Sequence, residues 1–330
     1  MSDIKSESGQ STKDGVAGWE RELLNKVVMA SVIENRRSRR WGIFFKLLTF
    51  AYLFLLLAML IWSDEWDMSQ AALKEHTALV EVSGLIAPET KASADKIVTG
   101  LRKAFEDKKT KGVILRMNTP GGSPVQSRYI NEEILRLKEK YPEIPVYAVV
   151  VDMCASGGYY IAAAADKIYA DQGSIVGSIG VLMNGFGFVQ AMDSLGIERR
   201  LLTAGEHKAL MDPFSPLREE DMTHVQGILD QLHGQFIEKV KEGRGDRLKL
   251  EYYPEVFSGL FWSGEQAKQM GLIDDFGNSS YVAREVIGVE DIVDFTPEQD
   301  VWERLAERLG TGATEAVARL MGLGEGYTLR

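Results

Sequence analysis

The apolar and polar positions of this chain change their rhythm several times, and the changes divide it. Residues 1–18 are polar and read as a disordered tail. Trp19, Leu23, Val27 and Ala30 recur at three or four, a short helical pattern. Arg36, Arg37, Arg39 and Arg40 then abut an apolar run from Trp41 to Trp62 in which Lys46 is the one charge. That length suits a bilayer crossing, with tryptophans at the two interfaces and Lys46 near the basic end. The run stands too far from the start and is too long for a cleaved leader. The expected layout is a cytoplasmic polar tail at 1–40, a transmembrane helix at 41–63, a linker at 64–76, a catalytic domain at 77–290 and a helical tail at 291–330. The arginines set the orientation, with the chain after residue 63 outside.

Beyond the linker the pattern alternates between strand and helix. His76–Ile86, Gly112–Met117 and Val146–Val151 read as buried strands. Ala92–Asp107 is a helix with Ile97, Leu101 and Phe105 on one face. Another starts at Ser123-Pro124 and carries Ile130, Ile134 and Leu137. Tyr159–Ala165 is a short alanine-rich helix. Lys167–Ala170, Ser178–Met183 and Ile197–Leu202 read as further strands. The long helix from Leu217 to about Glu242 buries Met222, Val225, Leu229, Leu232, Phe236 and Val240, and Glu265–Met270 is a short helix stopped by Gly271. The order β-α-β-α-β with short turns predicts an α/β domain built on a mainly parallel sheet, with functional groups at strand ends.

Composition removes some classes of function. The net charge is −10 with no broad basic stretch beyond Arg36–Arg40, which argues against nucleic acid. A single cysteine, Cys154, excludes an internal disulfide and a cysteine-rich metal site; it reads as a small buried hydrophobe. The four histidines have no metal-ligand spacing, and no metal or cofactor is expected.

The candidate chemistry lies where a strand hands over to a helix. Asp152-Met-Cys-Ala-Ser156-Gly-Gly reads as a tight turn that puts a serine hydroxyl beside unpaired helix-start N–H groups. The bland reading is a capping serine, and the segment lacks the G-x-S-x-G elbow because Cys154 stands at its first glycine. Gly121 and Gly122, also between strand and helix, can offer backbone N–H groups to an oxyanion, or can form only a turn. Serine needs a base. His207 and Lys208 are adjacent candidates. A lysine base must be neutral, which requires its pKa to fall from ~10.4 toward ~7–8. Histidine requires no such shift, so on chemistry alone His207 has a slight advantage.

Five segments change that balance. NTPGGSP at 118–124, MCASGGYY at 153–160, GSIVGSIGVL at 173–182, GEHK at 205–208 and WSGEQAKQMGLID at 262–274 together resemble the signal peptide peptidase A family of membrane-anchored serine peptidases, in its short form with one catalytic domain. The resemblance covers about residues 77–290. It implies a ClpP/crotonase-like spiral of βαβ units preceded by one transmembrane helix. It implies Ser156 as nucleophile, Lys208 as general base of a Ser–Lys dyad, Ser178 as the hydroxyl that orients the lysine, and Gly121 and Gly122 as the oxyanion hole, with His207 a bystander. It also implies a homo-oligomeric ring in which the lysine of one subunit meets the serine of its neighbour. The expected function is a serine endopeptidase degrading cleaved signal peptides or other hydrophobic membrane-associated peptides, with its catalytic domain on the periplasmic side of a bacterial inner membrane. The other readings are a Ser–His peptidase, a crotonase-like acyl-CoA enzyme, which an outward-facing domain disfavours, and a non-catalytic membrane scaffold or peptide-binding module.

Overall fold

The structure, a computed structural model, describes residues 26, 29, 34, 36–55 and 74–297. The chain forms two compact units, Met1–Ser69 and Gln70–Arg330. In the first, residues 36–55 are helical and exposed. No helix among the described residues is long and apolar enough to cross a membrane. The end of the apolar run at 56–62, the expected tail at 1–18, most of the linker and the chain after 297 lie outside the described residues.

The second unit is a mixed α/β domain on an eight-stranded, largely parallel sheet. Its first half alternates β1 (His76–Ser83), α1 (Ala94–Glu106), β2 (Thr110–Thr119), α2 (Pro124–Lys140), β3 (Val146–Ala155) and α3 (Gly157–Ala162). Then follow β4 (Lys167–Ala170), β5 (Ile175–Gly177), α4 (Val189–Ser194), α5 (Glu219–Arg244), β6 (Phe261–Ser263), α6 (Gly264–Met270), β7 (Asp275–Phe276) and β8 (Ile292–Asp294). The main path runs β6-β5-β3-β2-β1-β8, with β4 branching from β3 and carrying β7. Every pairing is parallel except β5 with β6.

Alternation explains the packing. Ala78, Val80 and Val82 of β1, Val113, Leu115 and Met117 of β2, and Val146, Ala148 and Val150 of β3 face one large core with α1, α2, α3 and part of α5. The intervening Leu79, Ile114 and Val149 face a smaller cluster with Tyr169, Val282 and Ala283. Both faces of the central strands are therefore covered, as a parallel sheet requires. Arg244 is buried at the end of α5. It donates to the Gly271 carbonyl at 3.0 and 2.9 Å and to Asp274 at 2.7 Å, which ties α5 to the end of α6. Burial opposes the Asp274 charge, but Arg244 and the Ile168 N–H more than offset it and hold its carboxyl below the usual range.

The departures from expectation have physical causes. β3 does not stop at Val151 but runs to Ala155, because its first half pairs with β4 and its last three residues pair with β5. The predicted strand at Ser178–Met183 is displaced to Ile175–Gly177, and the one at Ile197–Leu202 does not form. Residues 197–202 are all exposed and have no strand to pair with among the described residues. α4 and β6 were not legible as elements. β8 pairs in parallel with β1, so residues 292–294 belong to the sheet and not to a helical tail beginning at 291.

Candidate active site

The site is built where β3 ends. β3 pairs in parallel with β5 in the register Ala155↔Gly177, so the next residue of each strand, Ser156 and Ser178, follow side by side. The Ser156 N–H donates to the Gly177 carbonyl at 2.8 Å, and the Ser178 N–H donates to the Leu260 carbonyl at 2.8 Å. Both serines take the left-handed region, with φ of 51° and 52°. For a residue with a Cβ this costs on the order of 1–3 kcal/mol, and such strain gathers at functional sites. At Ser156 it compresses the strand-to-helix turn into one residue. Its side chain makes no capping hydrogen bond to α3, so the hydroxyl is not a structural cap.

The helix that follows is fixed from below. The buried Tyr159 hydroxyl donates to the Leu272 carbonyl at 2.7 Å, and Asn131 of α2 donates to the Tyr160 carbonyl at 2.8 Å. Cys154 is fully buried, and burial pushes its thiol up, away from thiolate chemistry.

The loop after β2 runs against Ser156. Gly121 donates its N–H to Thr119 Oγ1 at 3.0 Å, while its carbonyl accepts from the Ile86 N–H at 2.9 Å. Gly122 has a φ of 149° and packs so tightly that a Cβ would lie 2.1 Å from the Ile86 carbonyl oxygen. Among the described residues the Gly122 N–H has no partner. The Gly157 N–H, at the first position of α3, is an unpaired helix-start donor. A Cβ on Gly157 would lie 3.3 Å from the Gly122 nitrogen and 2.4 Å from Ser127 Oγ. The free donors beside Ser156 are thus those of Gly122 and Gly157, not of Gly121 and Gly122. Gly157 is the helix-start donor expected beside the Ser156 hydroxyl, while the oxyanion role was expected of Gly121 and Gly122.

Ser156, Ser178, Gly122 and Gly157 line one cleft of about 730 Å³. Its other walls include the apolar Val125, Leu182, Leu232 and Phe236 and the histidine His233, which contacts the Ile179 carbonyl at 3.1 Å. Lys208 is not among the lining residues. It is exposed, in a turn between α4 and α5, and its ammonium has no hydrogen bond or ion pair among the described residues. Its neighbour His207 is engaged: Nδ1 lies 3.1 Å from Asp221 Oδ1. Asp221 also accepts from Arg218 at 2.8 and 2.9 Å. His207, Glu220 and Asp221 cluster closely enough for a metal, but the Arg218 guanidinium already occupies the Asp221 carboxylate.

A parallel α/β sheet that presents a strained serine hydroxyl to two free backbone donors belongs to the class of proteins equipped for nucleophilic acyl transfer. Comparison with known proteins narrows the class. Residues 138–289 match Peptidase family S49, a stretch that contains Ser156, Ser178 and Lys208 and starts after Gly122. A protein of Synechocystis sp. named "Putative protease slr0021" is 33% identical over 204 residues, covering 62% of this chain and 70% of that protein. Protease 4 of Haemophilus influenzae is 35% identical over 205 residues, 61% of this chain and 32% of that protein. A Brucella abortus protein named Na(+)/H(+) antiporter NhaA is 45% identical over 188 residues, 57% of this chain, but the chain spans only 25% of that protein. The chain belongs to peptidase family S49, the signal peptide peptidase A family of serine peptidases.

Proposed function

We propose that the chain is a membrane-anchored serine endopeptidase on a ClpP/crotonase-like fold, with Ser156 as nucleophile and Lys208 of a neighbouring subunit as general base. The observation that carries this is the mismatch between the two residues. Ser156 and its backbone donors line one cleft, and Lys208 stands exposed outside it, without an ion pair among the described residues. A base supplied by a second copy resolves the mismatch.

In the reaction Ser156 Oγ attacks the scissile carbonyl carbon and its proton passes to Lys208 Nζ. The carbonyl oxygen becomes an oxyanion held by the Gly122 and Gly157 N–H groups. Collapse breaks the C–N bond, Lys208 returns the proton to the leaving amine, and an acyl ester remains on Ser156. Water, deprotonated by Lys208, then releases the acid and restores the serine. Ser178, next to Ser156, orients the lysine. The apolar walls formed by Val125, Leu182, Leu232 and Phe236 favour hydrophobic peptides, cleaved signal peptides among them. The basic segment at 36–40 and the apolar run after it support an anchor in a bacterial inner membrane with the catalytic unit outside.

A second reading has its own observation. His207 Nδ1 is paired with the Asp221 carboxylate, the arrangement that leaves Nε2 of a catalytic histidine free for serine. One experiment separates them. The full chain in detergent is assayed with a fluorogenic hydrophobic peptide and a fluorophosphonate probe, as wild type, Ser156→Ala, Lys208→Ala and His207→Ala. Loss of turnover in the Ser156 and Lys208 variants, with a wild-type rate that rises with pH to a plateau, is the expected result. A normal rate for Lys208→Ala with none for His207→Ala overturns the lysine base.

A further inference from the structure

The turn that carries Lys208 is held by something other than itself. Gly205, with a φ of 104°, opens it, the Lys208 N–H donates to the Gly205 carbonyl at 3.2 Å, and the Leu210 N–H donates to the His207 carbonyl at 3.0 Å. No residue from 180 to 220 is buried, so no apolar core among the described residues fixes the turn. A base must reach a serine to within hydrogen-bonding distance, so a lysine on such a turn needs another anchor.

The first turn of α5 supplies what the core does not. Of its three acids, Glu219 and Glu220 are exposed and Asp221 is 4% exposed. Asp221 does not cap its own helix. It faces the turn, accepting from Arg218 Nε and Nη2 at 2.8 and 2.9 Å and lying 3.1 Å from His207 Nδ1, which is itself 3.3 Å from Arg218 Nη2. Arg218 in turn donates to the Glu206 carbonyl at 3.4 Å and pairs with Glu220 at 3.2 Å. Both residues before Lys208 are therefore tied to the start of a helix of 26 residues, Glu206 through its carbonyl and His207 through its ring. Burial opposes the Asp221 charge, but the Arg218 and His207 hydrogen bonds more than offset this and keep it a carboxylate.

We infer that Asp221 is a positioning residue which, through His207 and with Arg218, holds the turn that aims Lys208 at the neighbouring serine. This rests on the reading of Lys208 as the base. His207 is then neither a bystander nor a base but the link by which the lysine is anchored.

The test uses the full chain in detergent, the fluorogenic hydrophobic peptide, and the variants Asp221→Asn, His207→Ala, His207→Gln and Lys208→Ala. Asp221→Asn and His207→Ala should lower kcat about 10- to 100-fold with KM held within about twofold, the scale expected of a catalytic group displaced by about 1 Å. His207→Gln, whose amide can still donate to Asp221, should keep at least about a third of wild-type kcat, since the anchoring hydrogen bond is restored. His207 is half-exposed, so its variants carry the test even where Asp221→Asn folds poorly by circular dichroism. Wild-type kcat in Asp221→Asn and His207→Ala beside an inactive Lys208→Ala overturns this inference alone. A His207→Gln enzyme as inactive as His207→Ala also overturns it, since the ring itself is then required. An active Lys208→Ala overturns the dyad, and the inference with it.

Discussion

At the scale of single residues, the decisive feature is that Ser156 adopts a conformation its side chain disfavours and gains no capping bond in return. The strain is maintained because its neighbours are over-determined: Ala155 is paired on β5, Gly157 lies against Ser127, and Gly122 lies against Ile86. Gly122→Ala should therefore act twice. Its Cβ would meet the Ile86 carbonyl, and the N–H beside Ser156 would be displaced, so kcat should fall by about 10²- to 10³-fold, the usual loss for one oxyanion donor. Steady-state kinetics, with circular dichroism to follow the fold, measures it. An enzyme with unchanged kcat would remove Gly122 from the oxyanion hole.

At the scale of elements, α1 and α2 are joined by a carboxylate. Glu133, buried on α2, accepts from Arg136 one turn away at 2.8 and 2.6 Å and from Arg102 of α1 at 2.7 Å. Hydrogen bonds from Arg136 and Arg102 outweigh burial and bring its pKa from 4.5 to about 2. A folded-state pKa below the unfolded one means that Glu133 stabilises the fold above about pH 4.5 and that this contribution disappears as pH falls toward about 2. Glu133→Gln should lower stability at pH 7 by about 2–3 kcal/mol, and the difference from wild type should shrink through that acid window. Urea melts at pH 7, 4 and 3 test this. A difference that stays constant with pH would mean that packing, not charge, carries the effect.

At the scale of the whole molecule, the segment from 180 to 220 is the anomaly. It contains Leu182, Phe186, Leu195 and Leu202 at 78, 82, 73 and 97% exposure. So much apolar surface on one segment suits the contact with a second copy proposed above. The same segment carries Lys208, so covering it and completing the site are one event in the proposed ring. Leu202→Asp should shift the detergent-solubilised protein to smaller species in analytical ultracentrifugation. It should cost about 10-fold or more in activity, since misplacing a catalytic group by even 1 Å has effects of that size. Dissociated protein that retains full activity would rule out a shared site.

How far the sequence reaches follows from how local each signal is. The three central strands, the helices between them and the long α5 are legible because alternation and the 3.6-residue period are written within each segment. Ser156 is legible as a hydroxyl between strand and helix, and Cys154 as a buried hydrophobe. The choice between Lys208 and His207 is not decidable from the residues alone, since either can accept a proton, and it is the family's motifs that favour lysine. Other features depend on partners distant in the chain. The left-handed turn at Ser156 depends on β5, whose Gly177 lies 21 residues away (177 − 156); the extension of β3 to Ala155 comes from two different strands pairing with its two halves; the loss of a strand at 197–202 follows from its lack of a partner strand among the described residues. The Gly121 N–H is consumed by Thr119, and Asp221 reaches back to His207, through contacts that no periodicity announces. The sequence by itself determined the central strands, the helices between them and the family. The tertiary structure decided which donors are free and which residues share a cleft, because hydrogen-bond satisfaction is settled only when distant segments meet.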